Sequence, residues 1–347
     1  MADKRTEISE LGEFGLIGRI KSNFSINNTS TILGIDDDAA VIDAGDKYFL
    51  VSTDMLLEGV HFDLTFTPLK HLGYKSVAVN VSDIAAMNGI PKQITVSIGI
   101  SNRFSVEAID ALYDGIKMAC EAYEVDLVGG DTTSSASGLV ISVTVLGEVD
   151  KNSLVKRCTA REKDIICATG DLGGAYMGLQ VLEREKQVFL ENPDMQPQLE
   201  SYGIIVGRQL KPEARMDIIY ELKDKGIVPT SMIDISDGLA SDLFHICNQS
   251  KVGAALYEDK LPIDEQTYQT AGSFKIDPVT CVMNGGEDYE LLFTIKQDDF
   301  EKLKNHPDIH FIGYIQAQDK GINLVTKTEN IVPLQAQGWD HFQQTRV

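Results

Sequence analysis

The spacing of hydrophobic and polar positions switches repeatedly between a helical and a strand-like pattern along the chain. Helical periodicity and helix-start signals predict helices over residues 8–21, 67–88, 105–123, 212–225 and 240–249, and a further helix that ends at Leu182. Alternating or β-branched runs predict strands over residues 48–53, 94–100, 126–128, 139–149, 165–169, 232–239, 291–294 and 311–315. Because strands and helices are interleaved, the pattern predicts a mixed α/β fold with some α+β character.

The length of 347 residues is typical of two domains rather than one small core. A polar run at residues 150–153 is the candidate boundary, which gives an N-terminal α/β domain at 1–150 and a C-terminal α/β domain at 151–347. Ser-Thr-Asp at residues 52–54 and Ile-Ser-Asp at residues 235–237 each fall at a predicted strand, so the two halves share a weak internal repeat. The polar segment 183–203 is predicted to be a surface connection.

An acidic stretch near the N-terminus is the first candidate for chemistry. Three consecutive aspartates, Asp36 to Asp38, stand beside alanines and valine, and Asp54 directly follows the predicted strand 48–53. A carboxylate that leaves water is costly unless it is paired or binds a metal ion. Oxygen ligands from Asp, Ser and Thr are typical of a magnesium site. The alternative, an acidic surface turn, remains open on this stretch alone.

Further acidic residues recur at predicted helix and strand positions along the chain. Asp83 falls on the mostly apolar face of the predicted helix 67–88, where it is either a bound-cation ligand or a satisfied hydrogen-bonding group. The sequence Gly129-Gly130-Asp131 follows a short strand and allows close approach to a phosphate, although a plain turn would look the same. Further carboxylates at strand ends are Asp234, Asp237 and Glu287.

Composition narrows the class of partner. The net charge of −21 argues against sequence-independent nucleic-acid binding and against docking on anionic membranes. The same negative charge disfavours binding of an anionic ligand unless a bound cation makes the local electrostatic potential positive. No apolar run approaches the length of a membrane span, and no apolar signal region follows the N-terminus. Five scattered cysteines without a CxxC motif are typical of reduced thiols, so we expect a cytoplasmic protein.

Several familiar catalytic motifs are missing from the sequence, including the P-loop, the protein-kinase catalytic loop, HExxH and the nucleophile elbow. What remains is a set of aspartates from distant segments with glycine turns between them. Phosphoryl transfer needs little covalent chemistry from a protein, because alignment of the reactants and neutralisation of charge by metal ions are sufficient. Metal-assisted phosphoryl transfer is therefore the chemistry that the pattern favours.

Seven motifs together resemble the thiamine-monophosphate kinase family over nearly the whole chain, from about Gly12 to Phe342. They are Gly-Ile-Asp-Asp-Asp-Ala-Ala (34–40), Ser-Thr-Asp-Met-Leu with Gly-Val-His-Phe (52–62), Asn-Val-Ser-Asp-Ile-Ala-Ala-Met (80–87), Gly-Gly-Asp-Thr-Thr (129–133), Ile-Ser-Asp-Gly-Leu (235–239), Gly-Gly-Glu-Asp-Tyr-Glu-Leu (285–291) and Gly-Trp-Asp-His-Phe (338–342). The resemblance implies two α/β domains of the aminoimidazole ribonucleotide synthetase type, paired in a homodimer through their N-terminal sheets. It also implies that ATP and thiamine monophosphate react to give ADP and thiamine diphosphate by direct, in-line transfer, with the N-terminal domain binding ATP and magnesium.

Carried over position by position, the resemblance implies a set of ligands. Several magnesium ions would be bound by Asp38, Ser52, Thr53, Asp54, Asp83, Asp131, Asp234 and Asp237, of which Asp54, Asp83 and Asp237 are the candidate catalytic residues. ATP would be bound by Tyr123, Gly130, Asp131, Arg157 and Ser236, and thiamine monophosphate by His61, Glu287 and Trp339. Some family members have glycine in place of Asp36 or Asp37, so the roles of these two aspartates stay open.

Two other readings of the sequence stay open. One is a sister enzyme that makes selenophosphate or acts in hydrogenase maturation. Those activities need a reactive residue near the N-terminus or a C-terminal cysteine, whereas this sequence has no cysteine before Cys120 and ends in Thr345-Arg346-Val347. The other is a non-catalytic module that binds divalent ions, which predicts metal binding without nucleotide turnover.

Overall fold

A computed structural model of the chain describes residues 8–335. The helices are α1 (Ile8–Ser22), α2 (Leu69–Ala86), α3 (Val106–Tyr123), α4 (Gly174–Glu191), α5 (Gly203–Leu210), α6 (Met216–Asp224), α7 (Leu239–Ser250), α8 (Glu265–Phe274), α9 (Pro278–Asn284) and α10 (Phe300–Leu303). The strands are β1 (Thr31–Leu33), β2 (Ala40–Asp43), β3 (Lys47–Leu57), β4 (Ile90–Ile100), β5 (Asp126–Ser134), β6 (Val140–Asp150), β7 (Ile165–Thr169), β8 (Ser231–Asp234), β9 (Gly253–Tyr257), β10 (Leu291–Ile295), β11 (Ile309–Gln316), β12 (Ile322–Val325) and β13 (Ile331–Pro333). The mixed α/β fold class is confirmed. No helix between residues 8 and 335 is long and apolar enough to cross a bilayer.

The first half of the chain forms a six-stranded sheet in the order β1-β2-β3-β6-β4-β5. Neighbouring strands are antiparallel except β4 and β5, which are parallel. Helix α2 packs on one face of this sheet, and α3 packs on α2. Gly73 and Gly115 allow the two helices to approach, since a Cβ at either position would fall within about 2 Å of a carbonyl oxygen on the other helix. The sheet therefore has one face covered by helix α2.

The second half forms a seven-stranded sheet in the order β13-β12-β9-β11-β7-β10-β8. Its neighbouring strands are antiparallel except β9 and β12. Strand β8 lies at one edge, and α2 contacts it. This contact brings the end of β8 next to the helix that covers the first sheet.

The apolar core crosses the predicted domain boundary. Ile84 of α2, Met216 of α6 and Phe293 of β10 are buried members of a single hydrophobic cluster. Strand β6 ends at Asp150, but the packing continues on both sides of that residue. The division into domains at 1–150 and 151–347 therefore stays a prediction.

Three local predictions were wrong. The predicted helix 67–88 begins two residues later, at Leu69: Pro68 is its N-cap residue, and no side chain caps the helix. Gly129 and Gly130 do not form a turn but lie inside β5, which runs to Ser134 and is paired with β4. The first part of the predicted connection 183–203 is helical, since α4 continues to Glu191.

The N-terminal helix α1 differs from a regular amphipathic helix. Its backbone is kinked at Gly12, which has a φ of 65°. The apolar residues Phe14, Ile17 and Ile20 remain exposed. The ring of Phe14 nevertheless packs edge-on against His245 of α7, with ring centroids 4.6 Å apart, so the helix is docked on the second half of the chain.

Candidate active site

Three carboxylates from distant parts of the chain meet where α2 contacts β8. Asp38 follows β1, Asp83 lies in the last turn of α2 and Asp234 ends β8. One oxygen of each lies within 4.8 Å of an oxygen of the other two. The convergence that the sequence predicted for these three residues is thus present in the fold.

The fold fixes the orientation of these carboxylates through neighbouring hydroxyl groups. The Ser52 hydroxyl on β3 donates a hydrogen bond to Asp83 Oδ2 at 2.5 Å. Ser82, the residue before Asp83, donates from its hydroxyl to Asp234 Oδ2 at 2.6 Å. Because α2 is packed between the sheet and β8, consecutive residues on the helix bind two different strands.

Burial raises the pKa of each carboxyl in this cluster. It is the largest cause for Asp38, Asp54 and Asp234, whose pKa values are raised to about 6. The pKa of Asp83 is raised well above its ordinary value, first by burial and then by repulsion from Asp54, Asp234 and Asp38. Several buried carboxylates that repel one another are costly in the absence of a cation.

The donor set suits a hard divalent cation. Asp38 Oδ2 is buried and has no hydrogen-bond partner among the described residues. A buried, unpaired carboxylate oxygen beside two further carboxylates is the arrangement that magnesium stabilises, because the ion prefers oxygen ligands and neutralises their charge. The residues present therefore fit the metal that the family resemblance implies.

Arg157 provides the positive charge closest to the cluster. Its Nη2 donates to Asp38, its Nε donates to Asp37 Oδ1 at 3.2 Å, and its backbone N–H donates to Asp37 Oδ2, also at 3.2 Å. Burial and the neighbouring Asp38 raise the pKa of Asp37 to about 7, while Arg157 lowers it. Asp37 thus holds the arginine in place beside the carboxylates.

A cavity of about 560 Å³ opens next to the cluster, a volume typical of small-molecule sites. Asp54, Asp83, Asp234, Ser236 and Asp237 line it together with His61 and Glu287, so seven of the predicted site residues share one cavity. Helix α2 contributes Lys75, Val79 and Asp83, at steps of one turn. Since eight residues of helix span about 12 Å, Lys75 and Asp83 mark two separate regions of the cavity wall.

Two loops of the cavity are joined by backbone hydrogen bonds. Glu287 N donates to Ser236 O at 2.7 Å, and Tyr289 N donates to Ile235 O at 2.9 Å. The segment 285–290 is strained, since Glu287 and Tyr289 have φ values of 59° and 52° although neither is glycine. The loop that carries Glu287 is therefore tied to the loop that follows β8 and carries Ser236 and Asp237.

The side chain of Glu287 is held from two directions. Lys75 Nζ donates to its Oε2 at 2.9 Å, and Gln209 Nε2 donates to the same oxygen at 2.7 Å. His61 lines the same cavity, and its Nδ1 accepts from the backbone N–H of Leu57 at 3.1 Å, which assigns the proton of a neutral His61 ring to Nε2.

Four predicted residues lie away from the three clustered carboxylates. Thr53 faces the opposite surface of β3 from Ser52 and Asp54, and its hydroxyl donates to Val143 O at 3.0 Å. Gly130 and Asp131 are exposed on the edge strand β5, with β6 and β4 between that strand and β3. Tyr123 is buried. The predicted roles of these four residues in binding metal or ATP stay predictions.

The hydroxyl group of Tyr123 is hydrogen-bonded within the protein. Its hydroxyl accepts from the backbone N–H of Ala214 at 2.9 Å and donates to Glu213 Oε2 at 3.0 Å. The Tyr74 hydroxyl donates to the same Glu213 oxygen. Trp339, the remaining predicted substrate residue, lies outside the residues that the structure describes.

Sequence reasoning missed three residues at the site. Lys75, inside the predicted helix 67–88, and Gln209, outside every predicted element, were not identified, although both line the cavity. Asp242, in the first turn of α7, is fully buried and its Oδ2 accepts from the backbone N–H of Asp237 at 3.3 Å. A lysine at the apolar spacing of α2, and an aspartate between Ala240 and Leu243, are the signals that could have indicated them.

Comparisons with known proteins add an independent line of evidence. The profile described as "AIR synthase related protein, N-terminal domain" matches residues 36–149. The thiamine-monophosphate kinase of Bacillus subtilis (strain 168) is 33% identical over 341 residues, covering 96% of this chain and 100% of that protein. The solved structure of AaThiL complexed with AMPPCP and TMP is similar with a TM-score of 0.81 and 30% identity, covering 97% of this chain and 99% of that one. The thiamine-monophosphate kinase structure from Stenotrophomonas maltophilia K279a has a TM-score of 0.70 and 32% identity, covering 90% and 96%.

Proposed function

The chain belongs to the thiamine-monophosphate kinase family, and we propose that it transfers the γ-phosphoryl group of ATP to thiamine monophosphate, forming ADP and thiamine diphosphate. The observation that carries the proposal is the convergence of Asp38, Asp83 and Asp234, the last two of which line a ligand-sized cavity. A relative with 30% identity has been solved with AMPPCP, an ATP analogue, and TMP bound.

Asp38, Asp83 and Asp234 would hold magnesium, and Asp54 and Asp237 would hold further ions at the same cavity. When bound there, magnesium supplies positive charge that offsets the charge of the two anionic reactants. Ser52 and Ser82 orient the ligands through the hydrogen bonds to Asp83 and Asp234. The protein itself is strongly acidic, with a net charge of −21, so an anionic substrate pair depends on such ions.

The remaining residues of the chain position the reactants. Arg157, held by Asp37, lies beside the carboxylates, and we propose that it contacts a phosphate of ATP together with Ser236, which lines the cavity. Glu287 and His61 line the same cavity and are proposed to contact thiamine monophosphate. The acceptor is a phosphate monoester, an adequate nucleophile at neutral pH, so in-line transfer needs no dedicated general base.

We also propose that the chain forms a homodimer through its six-stranded sheet. All nine residues of the edge strand β5 are exposed, and so are Phe49 and Met55 of β3. An exposed edge strand together with exposed apolar side chains favours association with another copy. Sedimentation of the wild type should give the mass of a dimer, and Val128→Glu on β5 should give the mass of a monomer. A wild type that remains monomeric at the assay concentration and above would contradict the proposal.

A turnover assay tests the proposed activity. The purified protein is mixed with ATP and Mg²⁺, with and without thiamine monophosphate, and both ADP and thiamine diphosphate are measured. We expect equal amounts of the two products, and only when thiamine monophosphate is present. ADP release that ignores thiamine monophosphate would refute the proposed substrate, and metal binding without any ADP release would favour a non-catalytic metal-binding module.

A further inference from the structure

Lys75 is a buried cation in the middle of an apolar helix face. Its side chain is only 2% exposed, and it is among the largest fully buried side chains of the described chain. Leu72, Val79 and Ile84 are buried on the same helix. Burying an ammonium group is costly unless it is paired and hydrogen-bonded, so its partners indicate why a lysine stands here.

The partners of Lys75 come from the cavity wall. Its Nζ donates to Glu287 Oε2 at 2.9 Å and to the backbone carbonyl of Gln209 at 3.3 Å. Gln209 in turn donates from Nε2 to the same Oε2 at 2.7 Å. One oxygen of Glu287 therefore receives two donors, whereas Oε1 receives none from the described residues. The Glu287 side chain is 27% exposed and lines the cavity.

Stability of the fold does not by itself account for this arrangement. Replacing a buried ion pair with apolar residues is often neutral or stabilising, so a buried pair is weak evidence for a role in stability. Glu287 also reaches Lys75 from a left-handed backbone, at φ 59°, which is a strained conformation for a residue with a side chain. The three residues come from α2, α5 and the strained segment 285–290, and they meet only at the cavity.

We propose that Lys75, assisted by Gln209, is a positioning residue that clamps Oε2 of Glu287 and thereby aims Oε1 into the cavity as an acceptor for thiamine monophosphate. The inference rests on the proposed function, because it assumes that Glu287 contacts that substrate. Lys75 and Asp83 stand two turns apart on α2, so the clamp sets the affinity for thiamine monophosphate and leaves the metal and ATP region unchanged.

The test is a double-mutant cycle on Lys75→Met and Glu287→Gln, read as KM for each substrate and as kcat. Losing a hydrogen bond to a charged group corresponds to roughly a tenfold or larger change. We expect Lys75→Met to raise the KM for thiamine monophosphate by about tenfold or more, with the KM for ATP and kcat within about twofold. In the Glu287→Gln background, the same change should have almost no further effect on kcat/KM for thiamine monophosphate.

Two controls keep the result interpretable. Lys151→Met removes a lysine from a half-exposed pair with Asp43, at 2.8 Å, and should leave all three kinetic constants unchanged. If Lys75→Met does not fold, Gln209→Leu removes the second donor to Oε2 and should raise the KM for thiamine monophosphate alone, again with no added effect in Glu287→Gln.

Three results would overturn the inference. One is a rise in the KM for ATP or a fall in kcat that exceeds the change in KM for thiamine monophosphate, because Lys75 would then act on the transferred phosphate. Another is independent, multiplicative effects of Lys75→Met and Glu287→Gln. The third is unchanged kinetics in a folded Lys75→Met variant. Failure of the wild type to use thiamine monophosphate would instead count against the proposed function.

Discussion

Asp234→Asn should stabilise the metal-free protein while abolishing its response to magnesium. Asp234 is buried at the end of β8, where it accepts a hydrogen bond from the Ser82 hydroxyl and lies near two other carboxylates. An asparagine retains an acceptor for Ser82 through Oδ1 but removes the negative charge. The change therefore separates the cost of the charge from the packing around it.

The size of the effect follows from the pKa. Burial, more than any other cause, raises the pKa of Asp234 from 3.8 to about 6. A shift of about two units corresponds to about 3 kcal/mol at neutral pH, the cost of ionising this group in the folded protein rather than in the unfolded chain. Because the amide must also be accommodated, we expect a gain of about 1–3 kcal/mol in the free energy of unfolding.

The assay is denaturant unfolding at pH 7.5, in EDTA and in excess Mg²⁺, on the wild type and the variant. Wild type should be stabilised by Mg²⁺, and Asp234→Asn should be more stable than wild type in EDTA but gain little from the ion. Asp164→Asn is the matched control. Asp164 is also buried, but its Oδ2 accepts from the Thr230 hydroxyl and the Arg161 backbone N–H away from the cluster, so its loss of charge should destabilise in both buffers.

The reasoning fails if Asp234→Asn is less stable than wild type in EDTA by as much as the control. It fails equally if the variant keeps the full Mg²⁺-dependent gain in stability. Either result would mean that the cluster carries no electrostatic cost that a cation relieves.

Three further predictions concern the same cavity. Asp54→Asn should reduce kcat at least a hundredfold, because it removes the negative charge of a proposed metal ligand while keeping the size of the side chain. Circular dichroism should show an unchanged fold, and a near-normal kcat would contradict the proposed role of Asp54 in metal binding. Gly286→Ala should lower both stability and activity, since Gly286 has a φ of 73° and a Cβ there would fall 2.6 Å from Ser236 O. The control Gly272→Ala, where a Cβ meets open space on a helix, should change neither. Equal melting temperatures for the two variants would refute this prediction. The metal-free protein should lose stability as the pH rises through about 6, where Asp38 and Asp54 ionise in the fold, having been most stable near pH 4; a flat profile from pH 4 to 7 in EDTA would contradict the raised pKa values.

Much of the fold could be predicted from local pattern. The strand Ile165–Thr169 was predicted to the residue, and α3 begins after Ser105, whose hydroxyl accepts from Ala108 N as a capping residue. Helix α4 was predicted too short because Glu185 reads as a solvated residue, whereas it is buried and accepts from Gln198 N at 2.8 Å. Strand β9 was missed because Gly253-Ala254-Ala255 lacks the β-branched residues that signal a strand.

The candidate site was predicted where residue type alone carries the signal. Asp38, Asp83 and Asp234 were identified because an aspartate beside apolar residues is costly without a partner. Lys75 was missed because its partner Glu287 lies 212 residues further along the chain, and no local spacing reports such a contact. The opposite orientations of Ser52 and Thr53 likewise appear only once the register of β3 and β6 is known.

The most direct test is a crystal structure of the protein with Mn²⁺ in place of Mg²⁺, a non-hydrolysable ATP analogue and thiamine monophosphate, with the manganese located by anomalous scattering. The account predicts at least one manganese peak bound by Asp38, Asp83 and Asp234, with the nucleotide phosphates directed towards it. Manganese found only at exposed carboxylates, with these three aspartates free of metal, would contradict it.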